Sequence, residues 1–339
     1  MIAEKPKGST KPQPLTQIRQ IPWLRLLLSL ALSGLGLWFV TRDASLAEMR
    51  AAFGRADVGY VLLGLTIIAV TMMAKAWRWR LLYQPRDEAP SFSDLFWALS
   101  LGQLVNTAVP FFRLGEVARV YDLGQQAQSS KAQALGTLVV EKVLDLMMLA
   151  LTMFLLVPFL VIPQFVTDSG IALAAVAVMA FVGLYLMAYR SDLVLRVSRP
   201  VLRRLPGGLG ERVEPIATAG LRGLAALRNR RATLALLLTS LLIAGLSVLT
   251  PLVLFPALDL SLGLASAAAI HVAVTAGTVP PSTPAKVGVF EFLVAFMLRF
   301  FGVENASVIL AYTLLFHLVV VSPQILFGGI AAARGRSHA

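Results

Sequence analysis

The chain contains no cysteine, and only three histidines, His271, His317 and His338, among its 339 residues. The first absence excludes disulfides, thiolate metal sites and cysteine nucleophiles. The second leaves imidazoles too few and too scattered for a histidine-based metal centre. Charge is also scarce: 14% of residues are charged, against about 25% in a soluble domain. No G-x-S-x-G elbow, no P-loop and no recognisable Ser–His–carboxylate arrangement is present, so no catalytic set is legible and no cofactor is expected.

What fills the chain instead is apolar. Hydrophobic residues make up 57% of it, which identifies an integral membrane protein. The expected fold is all-α and polytopic, with about six to eight transmembrane helices plus re-entrant or broken ones. Runs long enough to span hydrocarbon are Ile21–Val40, Val58–Ala76, Ala134–Ile162, Ile171–Tyr189, Thr233–Ala257 and Ala306–Ala332. Leu95–Phe112 and Leu264–Val279 each lead into a broken motif, and Val287–Phe301 follows the second. The run Ile21–Val40 lacks a small-x-small cleavage site after it, so it reads as an uncleaved first helix.

The net charge of +12 sits in loops between apolar runs, without any nucleic-acid motif. Such loops orient a membrane protein and attract anionic headgroups. Residues 1–20, a polar tail, hold four Lys/Arg against one Glu, and residues 190–231 hold ten Arg against three acids. Both are expected on the cytoplasmic side of the cytoplasmic (inner) membrane. The domain reading is a tail at 1–20 and a transmembrane domain at 21–333. Its halves, about 21–189 and 233–333, are joined by an Arg-rich linker at 190–232 that carries an amphipathic stretch from Leu193 to Leu205.

Loop charge constrains the crossings. The Arg-rich linker lands inside only if Leu95–Phe112 dips in and returns, which makes that segment a re-entrant hairpin. Residues 264–301 can be two crossings or one hairpin, since parity allows both. A hairpin there would make the halves an inverted repeat.

Two motifs break the apolar runs. One is Pro110-Phe111-Phe112-Arg113-Leu114-Gly115-Glu116, followed by Arg119; the other runs from Pro280 through Pro281, Pro284 and Lys286 to Gly288 and Glu291. Proline frees backbone groups and charge is costly in hydrocarbon, so such breaks belong inside protein or beside a watery cavity. One break per half is the pattern of a transporter-like site. Arg113 and Arg119 supply planar cations suited to phosphate. Glu141 and Asp145, four apart on an apolar helix, face one side; they serve a structural ion pair with Arg113 or Arg119, or line a polar cavity. Ser282 is a candidate cap for the helix after the second break, and His271 and His317 read first as buried, hydrogen-bonded imidazoles.

In these residues the chain resembles the flippase-like integral-membrane family that includes the membrane domain of lysylphosphatidylglycerol synthases. That family's pattern is a Pro, then Arg-x-Gly-Glu, a downstream Glu-Arg with a later Asp, and a late Pro-Gly-Gly-x-Gly-x-x-Glu. Pro110, Arg113, Gly115 and Glu116 match the first part; Glu141 and Asp145 match the second, with Lys142 replacing Arg; Pro284, Gly288 and Glu291 match the third. Ala285 and Lys286 stand where the pattern has two glycines.

The resemblance implies translocation of an aminoacylated, glycosylated or polyprenyl-linked lipid between leaflets. The expected headgroup-binding residues are Arg113, Glu116, Arg119, Glu141, Asp145, Lys286 and Glu291. Pro110, Gly115, Pro281, Pro284 and Gly288 would shape the breaks. Expected partners are membrane lipids and a separate glycosyltransferase or aminoacyl-lipid synthase. Two-domain members add a soluble synthase domain; the sequence ends at Ala339 without one, so aminoacyl transfer is not expected. A membrane-embedded headgroup-modifying enzyme, and a non-transporting partner of a transferase, are the competing readings.

Overall fold

The computed structural model describes residues 22–84, 89–109, 114–126, 130–159, 164–191, 196, 218–278 and 283–336. Among them the protein is helical, without strands: α1 Pro22–Thr41, α2 Leu46–Arg55, α3 Val58–Leu81, α4 Phe92–Ala108, α5 Leu114–Gln126, α6 Lys131–Leu156, α7 Gln164–Tyr189, α8 Arg230–Leu254, α9 Leu264–Gly277, α10 Val289–Phe300 and α11 Ala306–Arg336. Helices α3, α6, α8 and α11 are long and apolar enough to cross a membrane, and shorter apolar stretches lie in α1, α7 and α9. The chain is a multi-pass membrane protein.

The elements begin where local chemistry favours a helix start. Asp57, Ser91, Ser130 and Asn229 precede α3, α4, α6 and α8, and each side chain accepts a backbone N–H from the first turn. Residues 41–57 form more than a connection. Ser45 caps α2 there, and the Ser45 N–H reaches Ser307 Oγ at 3.0 Å. Helix α3 runs past the apolar run's end at Ala76 to Leu81, so Arg78 and Arg80 are helical residues.

Helices α4 and α5 form an antiparallel hairpin. Gly115 N donates to Asn106 Oδ1 at 2.8 Å, while Gly102 faces the backbone of Gly115 and the side chain of Arg119. A Cβ on Gly115 would lie 1.9 Å from Gly102 O, so only glycine allows this approach. Helices α9 and α10 form the second hairpin, with Gly277 against Leu293 and Ala268 and Ala269 packed with Met297 and Phe301. Leu95–Phe112 leads into the first hairpin, and residues 264–301, which charge parity left open, form an antiparallel pair of helices of 14 and 12 residues, short of the about 20 that a crossing needs.

The result is one four-part unit, span–hairpin–span, used twice. Helix α5 begins at Leu114 and α10 at Val289, while α6 begins at Lys131 and α11 at Ala306, each pair 175 residues apart. Contacts between halves are reciprocal: α3 packs on α8, α4 on α11, and α6 on α9. Helices α3 and α8 run antiparallel, since Asp57 N meets Ala257 O at 3.1 Å at one end and Arg78 meets Ser240 at 3.1 Å toward the other. That is the relation an inverted repeat requires. The hairpin tips converge: Thr107 of α4 meets Gln324 of α11 at 3.1 Å, and α4 touches the turn Pro284–Lys286.

The linker's ends are also fixed. Arg228 donates to Ala188 O and Ser191 Oγ, and Tyr189 Oη donates to Arg228 O at 3.0 Å. Gly220 and Gly223 then pack on α6 at Gly136 and Gln133. The amphipathic stretch Leu193–Leu205 lies outside the described residues apart from Arg196.

Candidate functional site

The charged residues of α3, α5 and α6 converge beside the first hairpin. Glu141 is buried on α6; its Oε2 accepts from Arg119 Nη2 at 3.1 Å, and its Oε1 lies 3.9 Å from Arg78 Nη2. Arg78, 1% exposed, also donates to Asp145 Oδ1 at 2.6 Å and, through Nη1, to Ser240 at 3.1 Å. One guanidinium thus spans two carboxylates four residues apart and the opposite half's α8. An arginine's planar fork suits this arrangement, where a lysine's point charge would not.

Trp79 backs the cluster. Its indole N–H donates to Thr137 Oγ1 at 2.9 Å, and Arg119 lies over its ring at 4.8 Å. The aromatic face therefore offers the second arginine a partner at the point where water is excluded. Lys142 turns away from Glu141 and pairs with Glu116 Oε1 at 2.8 Å.

Among the described residues, two groups in this region lack a direct partner. Lys75, one turn before Arg78, is half-buried and lies in the field of Asp145, Arg78, Glu141 and Lys142, yet it holds no ion pair among the described residues. His271 on α9 sits in the field of Lys75. Asp145 keeps 42% of its side chain exposed, so the cluster opens on the Asp145–Lys75 side. Four cations, Lys75, Arg78, Arg119 and Lys142, face three carboxylates, Glu116, Glu141 and Asp145. The described part of the cluster carries a surplus positive charge.

The second break forms a separate arrangement. Ser282, Pro280 and Pro281 lie outside the described residues, and the structure caps α10 differently from the Ser282 expectation. Gly288 is the N-cap, and Glu291 Oε2 accepts its N–H at 2.6 Å. Pro284–Lys286 forms a single 3₁₀ turn with Ala285 at φ 52° and Lys286 at φ 62°, both left-handed. Glu291 Oε1 meets His317 Nδ1, and His317 Nε2 meets Ala285 O at 2.9 Å. Thr283 Oγ1 donates to Val287 O at 2.6 Å and faces Ser33 of α1 at 3.0 Å.

The expected headgroup residues therefore divide. Glu116, Arg119, Glu141 and Asp145 come together at the first hairpin. Lys286 reaches outward to Thr278 Oγ1 at 3.1 Å and Glu291 is engaged by His317, so neither joins that cluster. Arg113 and Pro110 lie outside the described residues. Gly115 lies at the start of α5, and Pro284 and Gly288 lie in the turn before α10. Sequence reading missed Arg78, Lys75 and Trp79, whose signal was Lys75-Ala76-Trp77-Arg78-Trp79 at the end of an apolar run; two cations three apart share a helix face. It missed His317 as Glu291's partner for want of a local signal. Among the described residues no cluster of His, Asp and Glu is placed to hold a metal ion.

No curated protein sequence matches the chain closely enough to name a relative. The sequence profile described as the lysylphosphatidylglycerol synthase TM region matches residues 26–328, which takes in both hairpins, three of the long spans with most of the fourth, and every residue of the charged cluster beside the first hairpin. The chain belongs to that family of lysylphosphatidylglycerol synthase transmembrane regions.

Proposed function

We propose that this protein is a lipid flippase-like transporter of the cytoplasmic membrane, carrying a lipid with an anionic phosphate headgroup between leaflets. The observation that carries the reading is Lys75: a half-buried cation without an ion pair among the described residues, in a cluster of surplus positive charge among spanning helices. Charge at membrane depth is costly and marks ligand paths. Arg78 and Arg119 are neutralised by Glu141 and Asp145 and hold the cluster together; Lys75 is the charge left to meet a phosphate. The exposed edge of Asp145 sits where an aminoacyl ammonium on that headgroup would be balanced. A separate glycosyltransferase or aminoacyl-lipid synthase would supply the lipid. The reading makes the protein a carrier rather than an enzyme, with residues 1–20 and 190–231 cytoplasmic by their positive charge.

The test is leaflet-resolved movement of fluorescent phosphatidylglycerol in vesicles holding the purified protein. The expected result is movement well above protein-free vesicles, reduced at least about tenfold by Lys75→Met, a loss of about 1.4 kcal/mol in headgroup binding. Wild-type movement no faster than in protein-free vesicles, or equal to that of Lys75→Met, overturns the reading.

A further inference from the structure

Both ring nitrogens of His317 face acceptors. Nε2 meets the carbonyl oxygen of Ala285 at 2.9 Å, and Nδ1 meets Oε1 of the Glu291 carboxylate. A carbonyl oxygen only accepts, so Nε2 must carry a proton and donate it. The Nδ1–Oε1 contact then needs a second proton, held by the imidazole as a cation or by Glu291 as a carboxylic acid. Without it, a ring lone pair would face a buried carboxylate. Glu291 Oε2 is already committed to the Gly288 N–H at 2.6 Å, and the Phe290 ring lies against His317 at 4.4 Å between centroids. Neither partner can turn away without breaking another contact.

We propose that Glu291 and His317 form a proton-binding site whose occupancy latches the second hairpin against α1 and α11. The ligand is a single proton, and the latched element is the turn 283–288. That turn is poised to open: Ala285 and Lys286 are both left-handed without being glycine, a conformation in which Cβ crowds the backbone. It is held down by His317 at Ala285 O, by Glu291 at Gly288 N and by Ser33 at Thr283. Loss of the shared proton leaves the ring one hydrogen for two acceptors: either Nε2 no longer donates to Ala285 O, or the Nδ1 lone pair faces the Glu291 carboxylate beside Gly288 N.

No other charged side chain among the described residues competes for the site. Glu291 is surrounded by His317 and by its own and Gly288's backbone N–H groups. Packed elements contribute Ser33 and Gly36 from α1 and Phe316 from α11, all uncharged, and Lys286 extends from the turn to Thr278. The first half's counterpart, Glu116–Lys142, pairs the carboxylate with a lysine in place of an imidazole. Among the described residues the imidazole–carboxylate pair is thus a feature of the second hairpin. In the transport reading above, on which this last step rests, the proton would be the coupling ion.

The absence of cysteine makes the test clean. Ser33 is 6% exposed beneath Gly288, so a Ser33→Cys thiol reacts with a water-soluble maleimide when the turn lifts. The measurement is the labelling rate in vesicles from about pH 5 to about pH 9, which brackets ordinary imidazole titration. It is divided by the rate for Ser33→Cys with Glu291→Gln. Glutamine offers Nδ1 an amide donor at every pH, keeping the latch closed without the proton, and the thiol's own ionisation cancels in the ratio. The expected ratio rises at least about tenfold as the pH rises. A ratio unchanged with pH overturns the proposal. Should Ser33→Cys fail to fold, hydrogen exchange across residues 283–288 of the unsubstituted chain gives the same reading: faster exchange at high pH, beyond its intrinsic pH dependence and abolished by Glu291→Gln, or no such difference if the site is not there. Neither measurement requires lipid movement, so its outcome is separate from that of the transport assay.

Discussion

Glu116 and Glu291 occupy the same place in two copies of one structural unit. Each is the third residue of the second helix of its hairpin, and each pairs with the twelfth residue of the span that follows, Lys142 and His317 respectively. The spacing from Glu to partner is the same in both, 116 to 142 and 291 to 317. A carboxylate at the first turn of a helix is favoured by the free N–H groups there, and its partner on the next span ties the hairpin to that span. The two pairs differ in setting: Glu116 and Lys142 are 26% and 41% exposed, whereas Glu291 and His317 are 4% and 10% exposed.

That difference predicts unequal costs. Glu116→Ala should lower stability by about 1 kcal/mol or less, because a half-exposed pair gains little over solvated charges. Glu291→Ala should cost about 3–5 kcal/mol, since it strands a buried partner and leaves the Gly288 N–H unsatisfied. Reversible unfolding in mixed detergent micelles measures both; equal losses would refute the equivalence of position with inequality of burial.

Arg78 is the keystone of the first-half cluster. Replacing it with Met removes a charge that two carboxylates share, so Glu141 would keep only Arg119 and Asp145 would lose its ion pair. Loss of about 3–5 kcal/mol is expected. Arg78→Lys should recover part of this but not the Ser240 contact, because one ammonium cannot reproduce the fork. The same unfolding assay ranks the three proteins, and an Arg78→Lys protein as stable as the parent would argue against the bridging role.

The sequence made the hairpins legible because Pro, Gly and charge in an apolar run have few explanations in a membrane. Gly115 and Gly288 could be singled out for the same reason. The partnerships were not legible. Arg78 lies 67 residues from Asp145 and 162 from Ser240, and nothing local distinguishes a buried arginine at a helix end from one that marks the cytoplasmic edge. The repeat was equally hidden. Lipid-facing positions accept almost any apolar residue, so the two halves share spacing rather than letters: Lys142 against His317, Gly115 against Phe290. Only glycine at 102 and 277, and glutamate at 116 and 291, survive at the 175-residue offset among the residues discussed. Helix α2 was missed because it is short and charged, and its stability comes from the Ser45 cap and from Ser307.

The hairpin contact makes a sharp glycine prediction. Gly115→Ala would place a methyl 1.9 Å from Gly102 O and 2.6 Å from the Asn106 side chain, forcing α4 and α5 apart and breaking the Asn106–Gly115 bond. A loss of about 2–4 kcal/mol is expected, combining overpacking with an unsatisfied N–H. Gly245→Ala, on α8 with nothing within 4 Å of the added carbon, should be neutral or stabilising by up to about 1 kcal/mol, as for any open helix position. Thermal unfolding of the two variants side by side separates a packing requirement from a general need for glycine.

Ala285 carries the last prediction. Its φ of 52° is left-handed, where an L-residue with a Cβ is strained by about 1–2 kcal/mol. Glycine removes that strain in the folded state but enlarges the freedom of the unfolded chain, which offsets about 0.4–1 kcal/mol. The balance favours Ala285→Gly by a few tenths to about 1 kcal/mol, read as a small rise in melting temperature. The His317 bond to Ala285 O involves only backbone on the loop side, so it survives the change. Ala285→Val must fail, because a branched Cβ cannot adopt that conformation without further strain. If instead glycine lowers stability and valine is tolerated, the turn is not left-handed at this position, and the strained loop that the Glu291–His317 pair holds down does not exist.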